Sequence, residues 1–402
     1  MKEPSRVRVA GPLEPYAAGF VGDLASVGYR PASAAVQVRL LAHLSGWLDA
    51  EGLDPSELCE VQLERFRVLH AARFASLRGV QRLAVVVGYL RGVGVVPAPE
   101  QPAVTAATEL MGRYRRYLTI ERGLTAGTAR GYVDAIRPFV ESRVTAAGEL
   151  ELWGLSAADV LGFVLAERRR RAGKSLKAVV SGLRSLLGFL HVEGLIARPL
   201  AGAVPSVAAW RLVGLPKGLE REQVQRLLAS CDRATAAGQR DFAILTMLVR
   251  LGMRRGEVAK LRLDDIDWRV GELVVSGKGD RSERLPLPAD VGEALAVYLR
   301  DARPPGFRGR EVFVRLKAPC RPLSAGAITH VVLSASKRAG IGEVTAHRLR
   351  HTAASELLRE GASLAEIGEL LRHRSVLTTS IYAKVDRERL RELARPWPGG
   401  GA

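Results

Sequence analysis

The last third of the chain contains side chains suited to breaking a phosphodiester bond by a covalent route. Such a reaction needs a nucleophile, cations around the phosphate oxygens, and an acid that protonates the leaving oxygen. Arginine suits the second task because its planar guanidinium donates two hydrogen bonds to a phosphate and stays charged at any working pH. The candidates for these tasks are Arg254, Lys278, His347, Arg350, His373 and Tyr382.

His347 and Arg350 are three residues apart, and His351 follows directly. On a helix this spacing puts the three side chains on one face, which can present several donors together. Taken alone, the pair is more typical of a solvated helix face. Tyr382 alone is likewise more typical of a half-buried packing residue than of a nucleophile, and His373 alone of a cap at a helix C-terminus.

Upstream, a further cation is spaced for support by a carboxylate. Arg254 lies at the start of a predicted helix, and Glu257, three residues later, can orient it. A surface ion pair of little energetic value is the alternative interpretation. Lys278 lies in a predicted turn, from which it can reach into a groove; a turn lysine in water is the alternative.

Helices and one β-hairpin are predicted to carry these residues. The expected elements are helices over 221–231 and 240–251 and strands over 272–275 and 284–287. Helices resume after the hairpin. Thr345 is expected to cap the helix that begins before His347, and Ser363 with Glu366 predicts a capping box.

Two proline-containing stretches, 97–102 and 205–218, are typical of linkers. Between them, residues 105–204 show apolar residues at helical spacing, and no strand is required. The predicted parts are an extra helical domain over 1–103, a helical domain over 104–204, a linker over 205–217 and a final domain over 218–402. The predicted fold class is therefore mainly α, with a small antiparallel hairpin or sheet in the final domain.

The first hundred residues also look like a diverged copy of the second hundred. The segment 88–94 precedes Pro97 much as the segment 188–194 precedes Pro199. Two unrelated helical bundles of similar composition are the alternative.

The chain is strongly basic, with 60 Lys and Arg against 42 Asp and Glu and a net charge of +18. Such a chain is attracted to polyanions through counterion release, although a solvated basic surface is an equal alternative. Its 47% of apolar residues argues against a disordered basic tail. The three cysteines form no zinc-type pair, and no apolar stretch suits a signal peptide or a membrane span. We therefore expect a soluble intracellular protein without a metal site.

Taken together, the candidate residues resemble the tyrosine recombinase family, the integrases and chromosome-resolving recombinases of phage and bacteria. The segment 252–258 looks like the first arginine box of that family, and 277–279 looks like its hairpin lysine. The segment 347–352 looks like its His-x-x-Arg box, and His373 and Tyr382 follow in the family's order and spacing. Each element alone is weak, but five in the right order make coincidence remote.

The resemblance is strong over residues 216–386 and fainter over 105–204. It implies a site-specific recombinase in which Tyr382 attacks the scissile phosphate, forms a 3′-phosphotyrosyl bond and frees a 5′-hydroxyl. The other implied roles are phosphate binding by Arg254, His347, Arg350 and His373, protonation of the leaving oxygen by Lys278, and support by Glu257 and His351. Because the phosphotyrosyl bond keeps the energy of the broken phosphodiester, resealing would need neither ATP nor another cofactor.

The resemblance also implies double-stranded DNA as the partner, held in a C-shaped clamp, and four protomers on two duplexes. The need for accessory proteins stays open, and the expected location is the cytoplasm, at the nucleoid. The expected phosphate contacts of the middle domain are Arg168, Arg169, Arg170, Arg171, Lys174, Lys177 and Arg184. A solvated linker between helices is the alternative for this cluster. The tail over 383–395 resembles the family's terminal helix, which docks on a neighbouring protomer.

Two positions depart from the family's usual pattern. Arg372 precedes His373 where a glycine is common, and Glu220 stands where a threonine often opens the catalytic domain. The first departure puts the local helix-end geometry in question, because glycine readily adopts the left-handed conformation and arginine does not.

Three other functions remain as alternatives. A relaxing topoisomerase would use the same chemistry without exchange of partners, and a silent relative would bind DNA without cutting it. A metal-dependent nuclease or transposase would need a carboxylate cluster, for which Asp264, Asp265 and Asp267 are the candidates. These three are expected in the turn before the hairpin.

Overall fold

A computed structural model of the chain describes residues 7–71, 80–99, 104–170, 173–206, 218–277 and 282–372, together with Thr379 and Tyr382. Contacts between residues divide the chain into two compact units. One unit combines Met1–Ala98 with Leu212–Ala402, and the other is Pro99–Arg211. No helix in the described ranges is long and apolar enough to cross a membrane.

The first segment of the larger unit is helical. Its helices are α1 (Ala17–Ser26), α2 (Pro31–Glu51), α3 (Glu60–Ala71) and α4 (Val80–Gly92). Helix α2 begins with proline in its first turn and ends before Gly52, whose φ of 65° is the left-handed conformation that glycine adopts freely. The apolar faces of these four helices pack together and bury Phe20, Leu41 and Phe66.

The smaller unit is a helical bundle. Its helices are α5 (Ala106–Arg116), α6 (Ala126–Glu141), α7 (Ala157–Arg170) and α8 (Gly173–Val192). Thr105 and Thr125 cap α5 and α6 through their side-chain oxygens. The buried Tyr114 hydroxyl donates to the Gly182 carbonyl and so joins α5 to α8. The prediction of a helical segment over 105–204 is confirmed for the described part of that range.

The second segment of the larger unit carries the candidate site. Its helices are α9 (Arg221–Ala229), α10 (Ala236–Arg250), α11 (Arg255–Lys260), α12 (Ala289–Val297), α13 (Ala325–Arg338), α14 (Ala346–Arg359) and α15 (Leu364–Leu370). Its strands are β1 (Ile266–Asp267), β2 (Glu272–Ser276) and β3 (Ser282–Pro286). They form one antiparallel sheet in the order β1-β2-β3, in which Leu273 of β2 pairs with Ile266 and Leu285. All three of these side chains are buried, since paired residues of neighbouring strands point to the same face of the sheet.

Helix α10 is the centre of this core and packs against α12 and α14. It begins at Ala236, four residues before the predicted start, because the Thr235 hydroxyl accepts the Gly238 N–H and caps the helix there. Helix α9 ends at Ala229, two residues before the predicted end. The fold class and the hairpin are confirmed, but β3 begins two residues before its predicted start and ends one residue earlier, and β1 was not predicted. Packing on α10 thus fixes the position of α14, which carries three of the candidate residues.

Candidate active site

Helix α14 presents His347, Arg350 and His351 on one face, as the spacing predicts. The Thr345 hydroxyl accepts the Arg348 N–H, so the predicted cap is confirmed and the helix begins directly before His347. The His347 side chain is exposed, whereas only 3% of Arg350 is exposed. Side-chain exposure therefore falls within one turn of α14, from the exposed His347 to the buried Arg350.

Arg350 ties three parts of the fold together. One guanidinium nitrogen donates to the Gly252 carbonyl at 2.6 Å, and the other donates to the Leu371 carbonyl after α15. Burial, followed by the neighbouring charges of Arg254 and Arg372, lowers the pKa of Arg350 to about 10. The Arg350 guanidinium is still protonated at neutral pH, so a buried positive charge lies beside the candidate site.

Arg254 immediately precedes α11, where Glu257 holds it at two points. The Glu257 carboxylate accepts two hydrogen bonds from Arg254, one from the backbone N–H at 2.8 Å and one from the guanidinium at 2.6 Å. The predicted support of Arg254 by Glu257 is thus present as a contact. The Arg254 side chain is 46% exposed, which leaves part of the guanidinium available to a ligand.

The two arginines border a cavity of about 340 Å³. Its lining residues are Met253, Arg254, Arg255, Thr329, Thr345, Ala346, His347 and Arg350. None of these lining residues is acidic, and the Arg255 guanidinium donates to the Thr329 hydroxyl at 2.9 Å on its wall. A cavity lined by cations and hydroxyls suits an anion such as a phosphate.

Tyr382 is 1% exposed and packs in an apolar cluster with Ala354, Leu358, Ile367 and Leu371. Its backbone N–H donates to the Thr379 carbonyl at 3.0 Å. The cluster explains how a tyrosine in this segment is held against α14 and α15.

The Tyr382 hydroxyl lies 2.7 Å from His351 Nδ1. Burial, helped by the charges of His347 and Arg350, lowers the pKa of His351 to about 4. Burial raises the pKa of Tyr382 to about 12, although Arg350 works in the opposite direction. At neutral pH both groups are therefore uncharged, and we assign the hydroxyl as donor to an imidazole whose proton is on Nε2. The rings of His347 and His351 meet edge to face at 4.3 Å.

The structure therefore brings together Arg254, Glu257, His347, Arg350, His351 and Tyr382. Lys278, His373, Arg171 and the tail over 383–395 lie outside the described residues, as does the Lys174 side chain.

In the smaller unit the predicted basic cluster is divided between solvent and internal contacts. Arg168, Arg169 and Lys177 are exposed. Arg170 pairs with the buried Glu167 at 3.1 Å. Arg184 donates to the Val204 carbonyl at 2.9 Å and to the Ser206 hydroxyl at 3.0 Å, so its described bonds are internal.

Arg372 is the member of the site whose role the sequence did not indicate. It adopts a φ of 53°, so the helix end keeps the left-handed geometry that a glycine would allow. Its side chain turns inward and donates to Glu257 at 2.7 Å. Arg372 and Glu257 are 115 residues apart, so no local pattern links them. The only signal in the sequence was an arginine where the family usually has glycine.

The aspartates that a metal-dependent nuclease would need each have a local partner. Asp264 pairs with Arg310, Asp265 accepts the Arg262 N–H at 2.8 Å, and Asp267 accepts the N–H groups of the turn after β1. Asp264 and Asp265 lie in a short helical turn before the hairpin, as predicted, whereas Asp267 ends strand β1. Within the described ranges, no three His, Cys, Asp or Glu side chains are grouped to hold a metal ion.

Comparison with known proteins follows the same division of the chain. The model of the phage integrase family matches residues 217–389, and that of the phage integrase N-terminal SAM-like domain matches residues 111–194. The protein y4rA of Sinorhizobium fredii, named as an integrase/recombinase, is 41% identical over 97% of this chain and 95% of its own length. The tyrosine recombinase XerD of Listeria monocytogenes is 32% identical over 71% of this chain and 97% of its own length.

Among solved structures, a lambda integrase tetramer bound to a Holliday junction shares the fold, with a TM-score of 0.53 and 18% identity. The match covers 76% of this chain and 86% of that one. The chain belongs to the phage integrase family of tyrosine recombinases. It is accordingly a site-specific DNA recombinase, an enzyme that cleaves and rejoins DNA.

Proposed function

We propose that this recombinase cuts duplex DNA by joining Tyr382 to a backbone phosphate. The observation that carries the proposal is the position of Tyr382. Its hydroxyl is hydrogen-bonded to His351 on α14, and the other two candidates on that helix, His347 and Arg350, line a cavity suited to an anion. The candidate nucleophile and the candidate phosphate site thus both lie against α14.

In the proposed reaction the Tyr382 oxygen attacks the phosphorus, and the bond to the 5′ oxygen breaks. The 3′ end stays on the tyrosine, and Lys278 gives its proton to the leaving 5′ oxygen. His351 Nδ1 is the group hydrogen-bonded to the hydroxyl and would take its proton. Because the pKa of Tyr382 is about 12 and that of His351 about 4, the resting tyrosine keeps its proton until attack begins.

Arg254, Arg350 and His347 would bind the non-bridging oxygens, with His373 assisting. Charge grows on those oxygens in the transition state, where preorganised donors act most strongly. The support for this assignment is that Arg254, His347 and Arg350 line one cavity whose lining residues include no carboxylate. Glu257 would keep Arg254 in place through its two hydrogen bonds.

The partner would be double-stranded DNA, gripped by a clamp in which the exposed Arg168, Arg169 and Lys177 contact phosphates. Four protomers on two duplexes would form the working assembly, an arrangement supported by the lambda integrase tetramer of the same fold. Such a protein would be found at the nucleoid.

The test is covalent capture from sheared host DNA. The wild-type protein is quenched in detergent, and the fragments attached to it are sequenced beside those from Tyr382→Phe. The matched control is Tyr298→Phe, which removes the hydroxyl of another buried tyrosine in the same unit. We expect one short site to be enriched by the wild type and the control and to vanish with Tyr382→Phe. Equal recovery from Tyr382→Phe, or no adducts from the wild type, would contradict the proposal.

A further inference from the structure

Arg372 adopts the backbone conformation of the glycine that it replaces in the usual family pattern. Its φ of 53° is the only positive φ of a non-glycine residue within the described ranges. In that conformation a Cβ crowds the neighbouring carbonyl oxygen, so the arginine carries a steric penalty that glycine avoids. Such a conformation persists where surrounding contacts enforce it. The contacts of the Arg372 side chain therefore indicate its role.

Those contacts are buried. The Arg372 side chain is 4% exposed and donates to Glu257 Oε2 at 2.7 Å, and the Glu257 side chain is itself only 6% exposed. A second guanidinium nitrogen donates to the Leu370 carbonyl at 2.8 Å. A buried ion pair of this kind is stable only when good geometry offsets the loss of water around both charges.

Glu257 is shared between two arginines. Its Oε1 accepts the Arg254 guanidinium at 2.6 Å, while its Oε2 accepts both the Arg254 N–H and Arg372. A second guanidinium nitrogen of Arg254 donates to the Arg372 carbonyl at 3.1 Å. Arg372 therefore contacts Arg254 both through the carboxylate and through its own backbone.

The shared carboxylate changes the charge of the site. Burial by itself would raise the pKa of Glu257, but Arg372 and Arg254 outweigh it and hold that pKa below its usual value, so the carboxylate is ionised. Arg254, Arg350 and Arg372 carry three positive charges against this one negative charge, which leaves +2. With glycine at position 372, the carboxylate would neutralise Arg254 and leave +1. A phosphate in the cavity would then meet a weaker field.

We infer that Arg372 is a positioning residue that balances the Glu257 carboxylate, so that Arg254 keeps its orientation and the site keeps its net positive charge for a backbone phosphate. The inference rests on the proposed function. Arg372 acts through Glu257, whereas Arg254 and Arg350 line the cavity itself.

The first test is Arg372→Gly in a single-turnover cleavage assay at saturating DNA, on a nicked duplex that carries the site recovered by covalent capture. Saturation makes the rate independent of DNA affinity. We expect cleavage at least about tenfold slower than that of the wild type, because one net charge beside the phosphate is lost. Glycine relieves the left-handed strain, so the variant is expected to fold. Cleavage within about twofold of the wild type would overturn the inference.

The second test separates charge balance from a merely structural role. In the Arg372→Gly background, Glu257→Gln removes the charge that neutralises Arg254, while the amide oxygen can still accept the Arg254 N–H. We expect the double variant to cleave several times faster than Arg372→Gly alone. A purely structural role predicts the opposite, because a second buried contact is weakened. Arg372→Lys, which keeps the charge, should also recover part of the rate.

The third test needs no cleavage. Inorganic phosphate is titrated into each protein and its affinity is read from the shift of the melting temperature. Arg372→Gly should bind phosphate about tenfold more weakly than the wild type. Arg310→Gly is the matched control, because it removes an arginine from a surface ion pair with Asp264 and should leave phosphate affinity unchanged.

The titration also separates this inference from the proposed function. If the wild type forms no adduct that depends on Tyr382, the proposed function fails, and weaker phosphate binding by Arg372→Gly still supports the inference. Equal phosphate affinity in the wild type and Arg372→Gly would contradict the inference even if covalent capture succeeds.

Discussion

Tyr382 and His351 share one hydrogen bond, and both are less easily ionised than they would be in water. Burial is the main cause for each, because a low dielectric penalises the charged form. The proposed nucleophile of the resting protein is thus a phenol hydrogen-bonded to a neutral imidazole. The spacing of the His-x-x-Arg box predicted His351 beside His347, but its bond to a tyrosine 31 residues away depends on tertiary packing.

The depressed pKa of His351 predicts a loss of stability in mild acid. The folded-state pKa is about 4, whereas a histidine in the unfolded chain titrates near 6.5, so the unfolded chain takes up the extra proton first. This contribution to stability is complete above about pH 6.5 and is lost progressively as the pH falls toward 4. The melting temperature should therefore fall between pH 7 and pH 5.

The comparison variant is His351→Gln, whose amide can accept the Tyr382 hydroxyl but does not titrate. Its melting temperature should fall less than that of the wild type over the same pH interval. The Glu257 carboxylate, with a pKa below its usual value, adds stability that is lost only at lower pH. Identical slopes for the two proteins would show that His351 is not the group responsible.

At the scale of elements, short-range chemistry was predictable and long-range contacts were not. The caps at Thr345 and Ser363 and the two hairpin strands follow from patterns within a few residues. Helix α10 was predicted to start too late because its cap, Thr235, precedes a stretch without apolar periodicity. The bond from Arg372 to Glu257 joins two distant helix ends, and no local pattern indicates such a contact.

The cap of α14 offers a test of how helix position affects the site. Thr345→Ala removes the acceptor of the Arg348 N–H and should reduce the free energy of unfolding by about 1 kcal/mol. Because the cap lies in the first turn, beside His347, and Thr345 itself lines the cavity, phosphate affinity and cleavage should also fall. Chemical denaturation measures the first effect, and phosphate titration and single-turnover cleavage measure the second.

Thr235→Ala is the matched control for this prediction. It removes an equivalent cap, the acceptor of the Gly238 N–H on α10, and should cause a similar loss of stability. Phosphate affinity should stay at the wild-type value, because that cap is not part of the cavity lining. Equal functional loss in both variants would mean that the Thr345 effect is only a loss of stability.

At the scale of the whole molecule, the two helical segments end their last helices alike. Helix α4 is followed by Gly94 with φ 76°, and the Val95 N–H donates to the Leu90 carbonyl at 2.9 Å. Helix α8 is followed by Gly194 with φ 69°, and the Leu195 N–H donates to the Leu190 carbonyl at 2.8 Å. Helices α2, α13 and α14 end in the same way, before Gly52, Gly340 and Gly361, so this ending is a common helix terminus and the diverged repeat stays a prediction.

The net charge of +18 predicts DNA binding that weakens steeply with salt. If the exposed Arg168 and Arg169 contact phosphates, replacing both by alanine should reduce the slope of log affinity against log salt by about 1–2. Fluorescence anisotropy with a labelled duplex at several salt concentrations measures this slope. Arg184→Ala should keep the wild-type slope, because that guanidinium is bonded to Val204 and Ser206. An unchanged slope in the double variant would remove these two arginines from the DNA contacts.

The burial of Tyr382 has a consequence for chemical labelling. Nitration by tetranitromethane modifies accessible, ionised phenols, and this side chain is 1% exposed with a pKa of about 12. In the free protein Tyr382 should stay unmodified while partly exposed tyrosines such as Tyr16, Tyr117 and Tyr132 react, as read by peptide mass spectrometry. Nitration of Tyr382 that appears only with cognate duplex would mean that DNA frees the side chain before the strand is cut. In that case the resting recombinase keeps Tyr382 buried, and only DNA that carries the cognate site makes the tyrosine available for attack.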